Sequence, residues 1–348
     1  MKPMTPTPQH VAVVGATGAV GQEMLKILDE RKFAMASLKL FASPQSAGKS
    51  LTFQGESLKL HAPSESAFEG VDVALFSAGA SIAQQWAPVA ERAGALVIDN
   101  SSAFRQHPEI ALVVPEVNRH ALATHARRII ANPNCSTIQL VVALKPLHEQ
   151  FGLEHVVVST YQAISGKGTR ALDEFEQQVR DDLSAQTPTQ KVLPGVLAFN
   201  VLCDWKHDAD GWSEEEQKMV FETRKIMEMP SLRVSPTTVR VPVRNGHSEA
   251  VWARFAKPIT RAAAIECLTG APGVTVVSAS GPAQHPQPRV ISGTDAVYVG
   301  RVREDASDRH ALQLFVVSDN LRKGAALNAI QIAELYAARR ALSTESSN

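Results

Sequence analysis

The chain has 348 residues, 44% of them hydrophobic and 20% charged, with 35 Lys plus Arg against 35 Asp plus Glu. That length predicts two domains of ~100–200 residues, and the charge balance excludes a field built to attract nucleic acid or an anionic membrane. Three cysteines (Cys135, Cys203, Cys267) are odd in number and far apart, which argues against a disulfide framework and for a reducing cytoplasm; no apolar run reaches the ~18 residues of a membrane span, and MKPMTPTPQH reads as a loose tail without the apolar stretch of a signal peptide.

In chain order, HVAVVGATGAVGQEMLKILDE reads as a short buried strand, a glycine turn and an amphipathic helix. Val20, Met24, Ile27 and Leu28 recur near the helical period. SLKLFAS at 37–43 is a second strand. VDVALFSAG and GALVIDNSS are further short strands ending in small polar residues, with SIAQQWAPVAERA as a helix between them. Strand and helix alternate to about residue 130, which predicts a parallel sheet covered on both faces. A helix over 136–149 follows, marked by Ile138, Val141, Val142 and Leu144. Then HVVVSTYQAISGKG, SPTTVRVPVRNGHSEAVWARFAKP, GVTVV, AVYVGRVRED and ALQLFVVSDN predict a mixed or antiparallel sheet. LRKGAALNAIQIAELYAARR closes the chain as a helix before a polar STESSN tail. The expected class is α/β followed by α+β.

Gly15, Gly18 and Gly21 form a GxxGxxG turn between the first strand and first helix. Glycines there let backbone approach a pyrophosphate, whose charge the helix N-terminus stabilises. A dinucleotide-binding domain is expected. An NAD site usually carries an acid at the end of the second strand for the ribose hydroxyl. FASPQSAGKS has none between Phe41 and Thr52, whereas Ser43, Ser46 and Lys49 could take a 2′-phosphate, so NADP is favoured over NAD.

Cys135 sits in a polar Asn-Pro-Asn-Cys-Ser-Thr knot directly before a helix, where a residue chosen for packing has no reason to be. Asn134, Ser136 and Thr137 offer capping side chains. The positive end of the helix dipole lowers a thiol's pKa and enlarges its thiolate fraction, so Cys135 is read as reactive. Cys203 and Cys267 lack such settings and are read as structural. A thiolate beside a nicotinamide suggests interconversion of aldehyde, thiohemiacetal and thioester. RVPVRNGHSEA supplies a candidate base: of eleven histidines, His247 stands after an Asn-Gly turn at the end of a strand. That strand carries Arg240 and Arg244, which alternate with Val239, Val241 and Val243 and so share a face. An arginine there can grip a carboxylate with two hydrogen bonds. SEEEQKMVFETRK opens a helix with a Ser213-x-x-Glu216 capping box. Spacing alone makes Glu215 and Lys218 a surface ion pair. No metal-ligand spacing occurs; His120 and His125 lack a third partner.

GATGAVG, NPNCST, YQAISG, ETRKI, VRVPVRNGHSEA and NLRKGAALNAIQIAE together resemble aspartate-semialdehyde dehydrogenases, in that family's order and spacing from about His10 to Glu334. The resemblance implies an NADP-dependent oxidoreductase. It would make L-aspartate 4-semialdehyde from 4-phospho-L-aspartate, on the route to lysine and diaminopimelate, threonine and methionine. It implies Cys135 as nucleophile, Gln162 orienting the intermediate and His247 as general acid/base. Arg240 would hold the substrate carboxylate, Glu215 its amino group, and Lys218 and Arg105 the phosphate, with Asn134 also at the substrate. Gly15, Thr17, Gly18, Ala19, Val20, Ser43, Gln45, Ser46, Ser165 and Gly166 would contact NADP, and Asn320 would lie near the nicotinamide. The implied architecture is an NADP-binding Rossmann domain over 9–133, completed by a C-terminal helix over 321–341. A catalytic and dimerisation domain of α+β type would span 134–320, in a homodimer.

Two positions depart from the family pattern. Gln45 stands where many members carry an arginine for the 2′-phosphate, leaving the preference between NADP and NAD open. Lys167 replaces a small residue, either to alter cofactor contacts or simply to point outward. The alternative readings are an N-acetyl-γ-glutamyl-phosphate reductase-like enzyme and a catalytically silent paralogue acting as a binding or assembly protein.

Overall fold

The computed structural model describes residues 7–124, 127–277 and 284–345. His125, the first six residues and the last three of the polar tails lie outside them. The chain divides into two compact units, one running to Pro133 and resuming at Ala325, the other spanning Asn134–Gly324.

The first unit contains strands β1 (Gln9–Val14), β2 (Met35–Phe41), β3 (Ser50–Phe53), β4 (Glu56–His61), β5 (Val73–Phe76), β6 (Leu96–Asp99), β7 (Ala111–Leu112) and β8 (Ile129–Ala131). Its helices are α1 (Ala19–Glu30), α2 (Ala80–Arg92), α3 (Pro115–Asn118) and α4 (Ala121–Thr124). The sheet runs β3-β4-β2-β1-β5-β6-β8-β7 and is parallel except at the β3–β4 pair. β1 and β5 are almost wholly buried because helices cover both faces, and their near-continuous apolar text is what a doubly covered strand requires. The chain leaves β1 for β2 on one side and later places β5 on the other. The carboxyl ends of β1 and β5 therefore flank a topological switch point, where sheets of this kind bind ligands.

Alternation of strand and helix is broken by the β3–β4 hairpin, which the sequence reading missed. The hairpin turns at Gln54 and Gly55, both with positive φ, as a two-residue I′-type turn needs. The last helix of the chain, α10 (Leu327–Glu345), belongs to this unit. Its Leu327, Ile330 and Ile332 share one core with Val11, Met24 and Ile27. It is preceded by a π-helical turn at Arg322–Ala326 and extends into the expected tail.

The second unit contains α5 (Cys135–Phe151), β9 (Leu153–Gln162), α6 (Thr169–Leu183), α7 (Glu214–Ile226), β10 (Arg233–Arg240), β11 (His247–Phe255), α8 (Arg261–Leu268), β12 (Val274–Val276), α9 (Pro288–Ile291), β13 (Val297–Glu304) and β14 (Ala311–Ser318). Helices α6 and α8 were not anticipated. The mixed sheet runs β10-β9-β11-β14-β13-β12. α5 packs across one face of it, against β9, β11 and β14. The other face carries half-exposed Tyr161, Trp252 and Phe315, with the Tyr161 and Phe315 rings 6.3 Å apart.

Two expectations about the His247 strand fail. His247 does not end the strand that carries Arg240: it opens β11, and β9 lies between β10 and β11 and pairs with both. Arg240 and Arg244 do not share a face: β10 ends at Arg240, Pro242 has no N–H to continue the ladder, and Val243 N–H turns back to Val241 O. Arg240 is 5% exposed, whereas the Arg244 side chain is 69% exposed and pairs with Glu176.

Candidate active site

In the first unit the glycine turn is dictated by contact. A Cβ on Gly21 would stand 2.2 Å from Gly15 O, and one on Gly15, whose φ is +88°, would stand 2.9 Å from Ala78 N. Only glycines let the turn close on the α1 backbone and on the loop after β5. Gly18 is the N-cap of α1 without a side-chain cap, and the first turn, with Ala19 and Val20, holds no acidic residue. A cavity of about 460 Å³ opens there, lined among others by Gly15, Gly18, Ser43, Pro63, Ile82 and Trp86. The Ser43 carbonyl accepts the N–H groups of Ser46 and Ala47, folding Gln45 and Ser46 into the same tight turn. The donor chemistry suits a dinucleotide: uncapped helix amides for a pyrophosphate, an acid-free turn for a ribose phosphate, and an apolar wall for a base. Pro63, Ile82 and Trp86 were missed. Pro63 follows a strand that was itself unread, and Trp86 looked like an ordinary apolar residue of an amphipathic helix. Arg105 is buried in this unit and donates from Nη2 to Asn100 O at 2.9 Å.

In the second unit Cys135 is the first residue of α5 and is half-buried. The N-cap is Asn134, whose Oδ1 accepts Ser136 N–H at 3.0 Å and Thr137 N–H at 3.2 Å. Ser136 and Thr137 do not cap, contrary to expectation: the Ser136 hydroxyl accepts from Gln162 Nε2 at 2.5 Å, and the Thr137 hydroxyl is buried. Gln162 Nε2 also donates to Glu215 Oε1 at 3.2 Å, and Asn134 Nδ2 donates to the same oxygen at 2.7 Å. Glu215 Oε2 lies 3.2 Å from Lys218 Nζ. The pair is not a surface pair, since Glu215 is buried at the start of α7 below the Ser213–Glu216 capping box. Glu222, two helical turns on, accepts Asn134 N–H at 2.6 Å. The i, i+7 spacing of Glu215 and Glu222 was the signal that could have found it.

His247 is fully buried at the start of β11. Its Nδ1 accepts Ala163 N–H at 3.0 Å, and its Nε2 has no hydrogen-bond partner among the described residues. Burial, then the nearby Arg240 guanidinium, hold its pKa well below 6.5. Gly166 is tight against this ring, for a Cβ there would lie 3.3 Å from Nε2. Arg240 Nη1 donates to Ala163 O at 3.0 Å. Ser165 Oγ lies within hydrogen-bond distance of Asn320 and Asn245, and Asn320 Oδ1 accepts Gly246 N–H. A Cβ at Gly324 would stand 2.9 Å from Cys135 Cβ, so the π-helical turn presses on the cysteine. Cys203 is exposed, which removes the packing role read for it. Cys267 is half-buried, and burial first raises its pKa. Among the described residues no His, Cys, Asp and Glu cluster could hold a metal.

Residues 10–125 match the family model described as semialdehyde dehydrogenase, NAD binding domain, and residues 144–323 match semialdehyde dehydrogenase, dimerisation domain. Over 338 residues, 96% of this chain and 99% of the relative, it is 48% identical to the aspartate-semialdehyde dehydrogenase of Synechocystis sp.. The chain belongs to the aspartate-semialdehyde dehydrogenase family. It is 47% identical over 334 residues to the Bacillus subtilis family member, covering 93% of this chain and 96% of that one. Among solved structures of the family it is similar to aspartate semialdehyde dehydrogenase II of Vibrio cholerae complexed with ASA. That match has TM-score 0.91 and 44% identity, over 94% of this chain and 98% of that chain. The family member from Candida albicans with NADP matches at TM-score 0.72 and 25% identity, over 96% and 100% of the two chains. As a member of this family the chain is an oxidoreductase of amino-acid biosynthesis with a Rossmann-type unit for a nicotinamide cofactor. Among the described residues no helix is long and apolar enough to cross a membrane.

Proposed function

We propose that the chain reduces 4-phospho-L-aspartate to L-aspartate 4-semialdehyde with NADP as cofactor, through a thioester on Cys135. The product would feed lysine and diaminopimelate, threonine and methionine synthesis. One observation carries this reading. The cysteine's own N-terminal turn is tied through Ser136 and Asn134 to Gln162 and Glu215, by contacts of 2.5 and 2.7 Å. That network gathers an amide and a carboxylate at the helix end that begins with the Cys135 thiol.

The Cys135 thiolate attacks the acyl phosphate carbonyl, its sulfur–carbon bond forms, and phosphate leaves, held by Lys218 and Arg105. Gln162 orients the thioester from beside Ser136. When bound, the reduced nicotinamide supplies the hydride that takes the thioester to the aldehyde level. Because Ala163 N–H occupies Nδ1, the His247 ring carries its proton on Nε2. His247 thus donates to the carbonyl oxygen as charge grows on it, and the thiolate is expelled to give the aldehyde. Arg240 holds the substrate carboxylate and Glu215 its ammonium group. The Ser43 turn receives the 2′-phosphate, with Gly15 and Gly18 against the pyrophosphate. The apolar outer face of the second sheet, with Tyr161, Trp252 and Phe315, supports a homodimer seated on that face.

The test is reduction of NADP by aspartate semialdehyde in the presence of phosphate, repeated with NAD and with N-acetylglutamate semialdehyde. Activity on the first pair that Cys135→Ala abolishes is the expected result. Preference for the longer semialdehyde, or full turnover in Cys135→Ala, would overturn the reading.

A further inference from the structure

Lys167 does not simply point outward. Its Nζ lies 2.7 Å from Asp204 Oδ2, and Asp204 Oδ1 lies 3.4 Å from Arg240 Nε. The Asp204 side chain is 0% exposed. The Arg240–Asp204 approach is an ion pair without hydrogen-bond alignment, for both Arg240 Nε and Asp204 Oδ1 are buried without an aligned partner. The same loop is fixed to Arg240 in two other ways. Leu202 and Arg240 exchange both backbone hydrogen bonds, at 3.0 and 2.7 Å. The Trp205 ring centre lies 4.6 Å from the Arg240 guanidinium carbon. With Nη1 given to Ala163 O, the guanidinium is held along one edge and over one face.

We propose that Asp204 and Lys167 form a charge-compensated clamp that positions Arg240 and leaves one net positive charge for the substrate carboxylate. The proposal rests on the reading of Arg240 as the carboxylate holder. Its logic is the charge count. A buried Asp204 fixes Arg240 in direction but cancels its charge, and in a dry site a cancelled guanidinium attracts a carboxylate weakly. Lys167 returns the missing cation from the far side of Asp204. Arg240, Asp204 and Lys167 then sum to +1, which one substrate carboxylate neutralises. The charges at positions 167 and 204 are therefore coupled in this chain.

The experiment measures KM for aspartate semialdehyde, KM for NADP and kcat in four variants of the full enzyme. Lys167→Ala should raise KM for the semialdehyde about tenfold and change kcat and KM for NADP by less than about threefold. Adding Asp204→Asn to it removes one charge of each sign and should return KM to within about threefold of the parent, which an additive structural effect would not do. Lys167→Arg should keep the parent value. If the double variant is as impaired as Lys167→Ala, or if Lys167→Ala moves KM for NADP instead, the clamp is wrong. Arg240→Lys separates the two ideas. A raised semialdehyde KM there with none in Lys167→Ala sinks the clamp alone, and an unchanged KM in both sinks the carboxylate assignment beneath it.

Discussion

His247 Nδ1 accepts the backbone N–H of Ala163 at 3.0 Å, deep enough that the ring is fully buried. A second proton on the ring would have to enter at Nδ1, against that N–H, so the neutral Nε2–H form is the stable one.

This relationship sets a pH dependence. The pKa of His247 is lowered by burial and by Arg240 from the ordinary 6.5. Unfolded, the ring takes up a proton below 6.5; folded, it does so only at lower pH. The contribution to stability is therefore complete above 6.5 and is lost as pH falls through the folded value. Denaturant midpoints measured downward from pH 7 should fall more steeply in the parent than in His247→Gln. The acid limb of kcat/KM should contain no ionisation near 6.5.

Glu249 has the opposite sign. It is fully buried on β11, and burial raises its pKa well above 4.5, only partly offset by Gln139 on the Cys135 helix. The folded carboxyl holds its proton where the unfolded one has lost it. Its contribution is complete below 4.5 and is lost as pH rises through the folded value. Glu249→Gln should flatten the fall in stability with rising pH, read as denaturant midpoint from pH 4.5 upward. An unchanged slope would show that the carboxyl is ionised in place.

Gly324→Ala tests the seating of the thiol. The new Cβ would meet Cys135 Cβ at 2.9 Å and Cα at 3.3 Å, neither the movable end of a side chain. A shift of a few tenths of an ångström should lower kcat by about 10–100-fold, or ~1.4–2.7 kcal/mol, alongside an overpacking loss of ~1–3 kcal/mol in unfolding stability.

Asn134→Ala removes the cap of α5 and a hydrogen bond to Glu215 together. The cap alone is worth about 1 kcal/mol of stability, within a range of ~0.5–2. Urea unfolding should show that loss, and the KM for substrate should rise as well because Glu215 loses its fixed orientation.

The parts of the site legible in sequence were those fixed by local rules. Gly15 and Gly21 follow from how closely a strand-to-helix turn must pack, and Ser213 with Glu216 from orphan N–H groups at a helix start. Asn134 was legible as a cap for the same reason. What escaped depends on distant strands. Arg240 and Arg244 alternate perfectly on paper, yet Pro242 ends the ladder and sends one inward and the other to solvent. Gln54-Gly55 turns a hairpin without the Asn-Gly or Asp-Gly text that marks such turns. Asp204 sits among other acids in a loop, and nothing near it in the chain tells that its carboxylate is the one that is enclosed.

The return of α10 to the first unit has a consequence for synthesis. Leu327, Ile330 and Ile332 fill a core begun by Val11 and Met24, so that core stays open to water while everything from Asn134 to Gly324 is being translated. At ~5–20 residues per second the delay is on the order of ten seconds or more, a period in which the nascent first unit lacks the helix that covers its core.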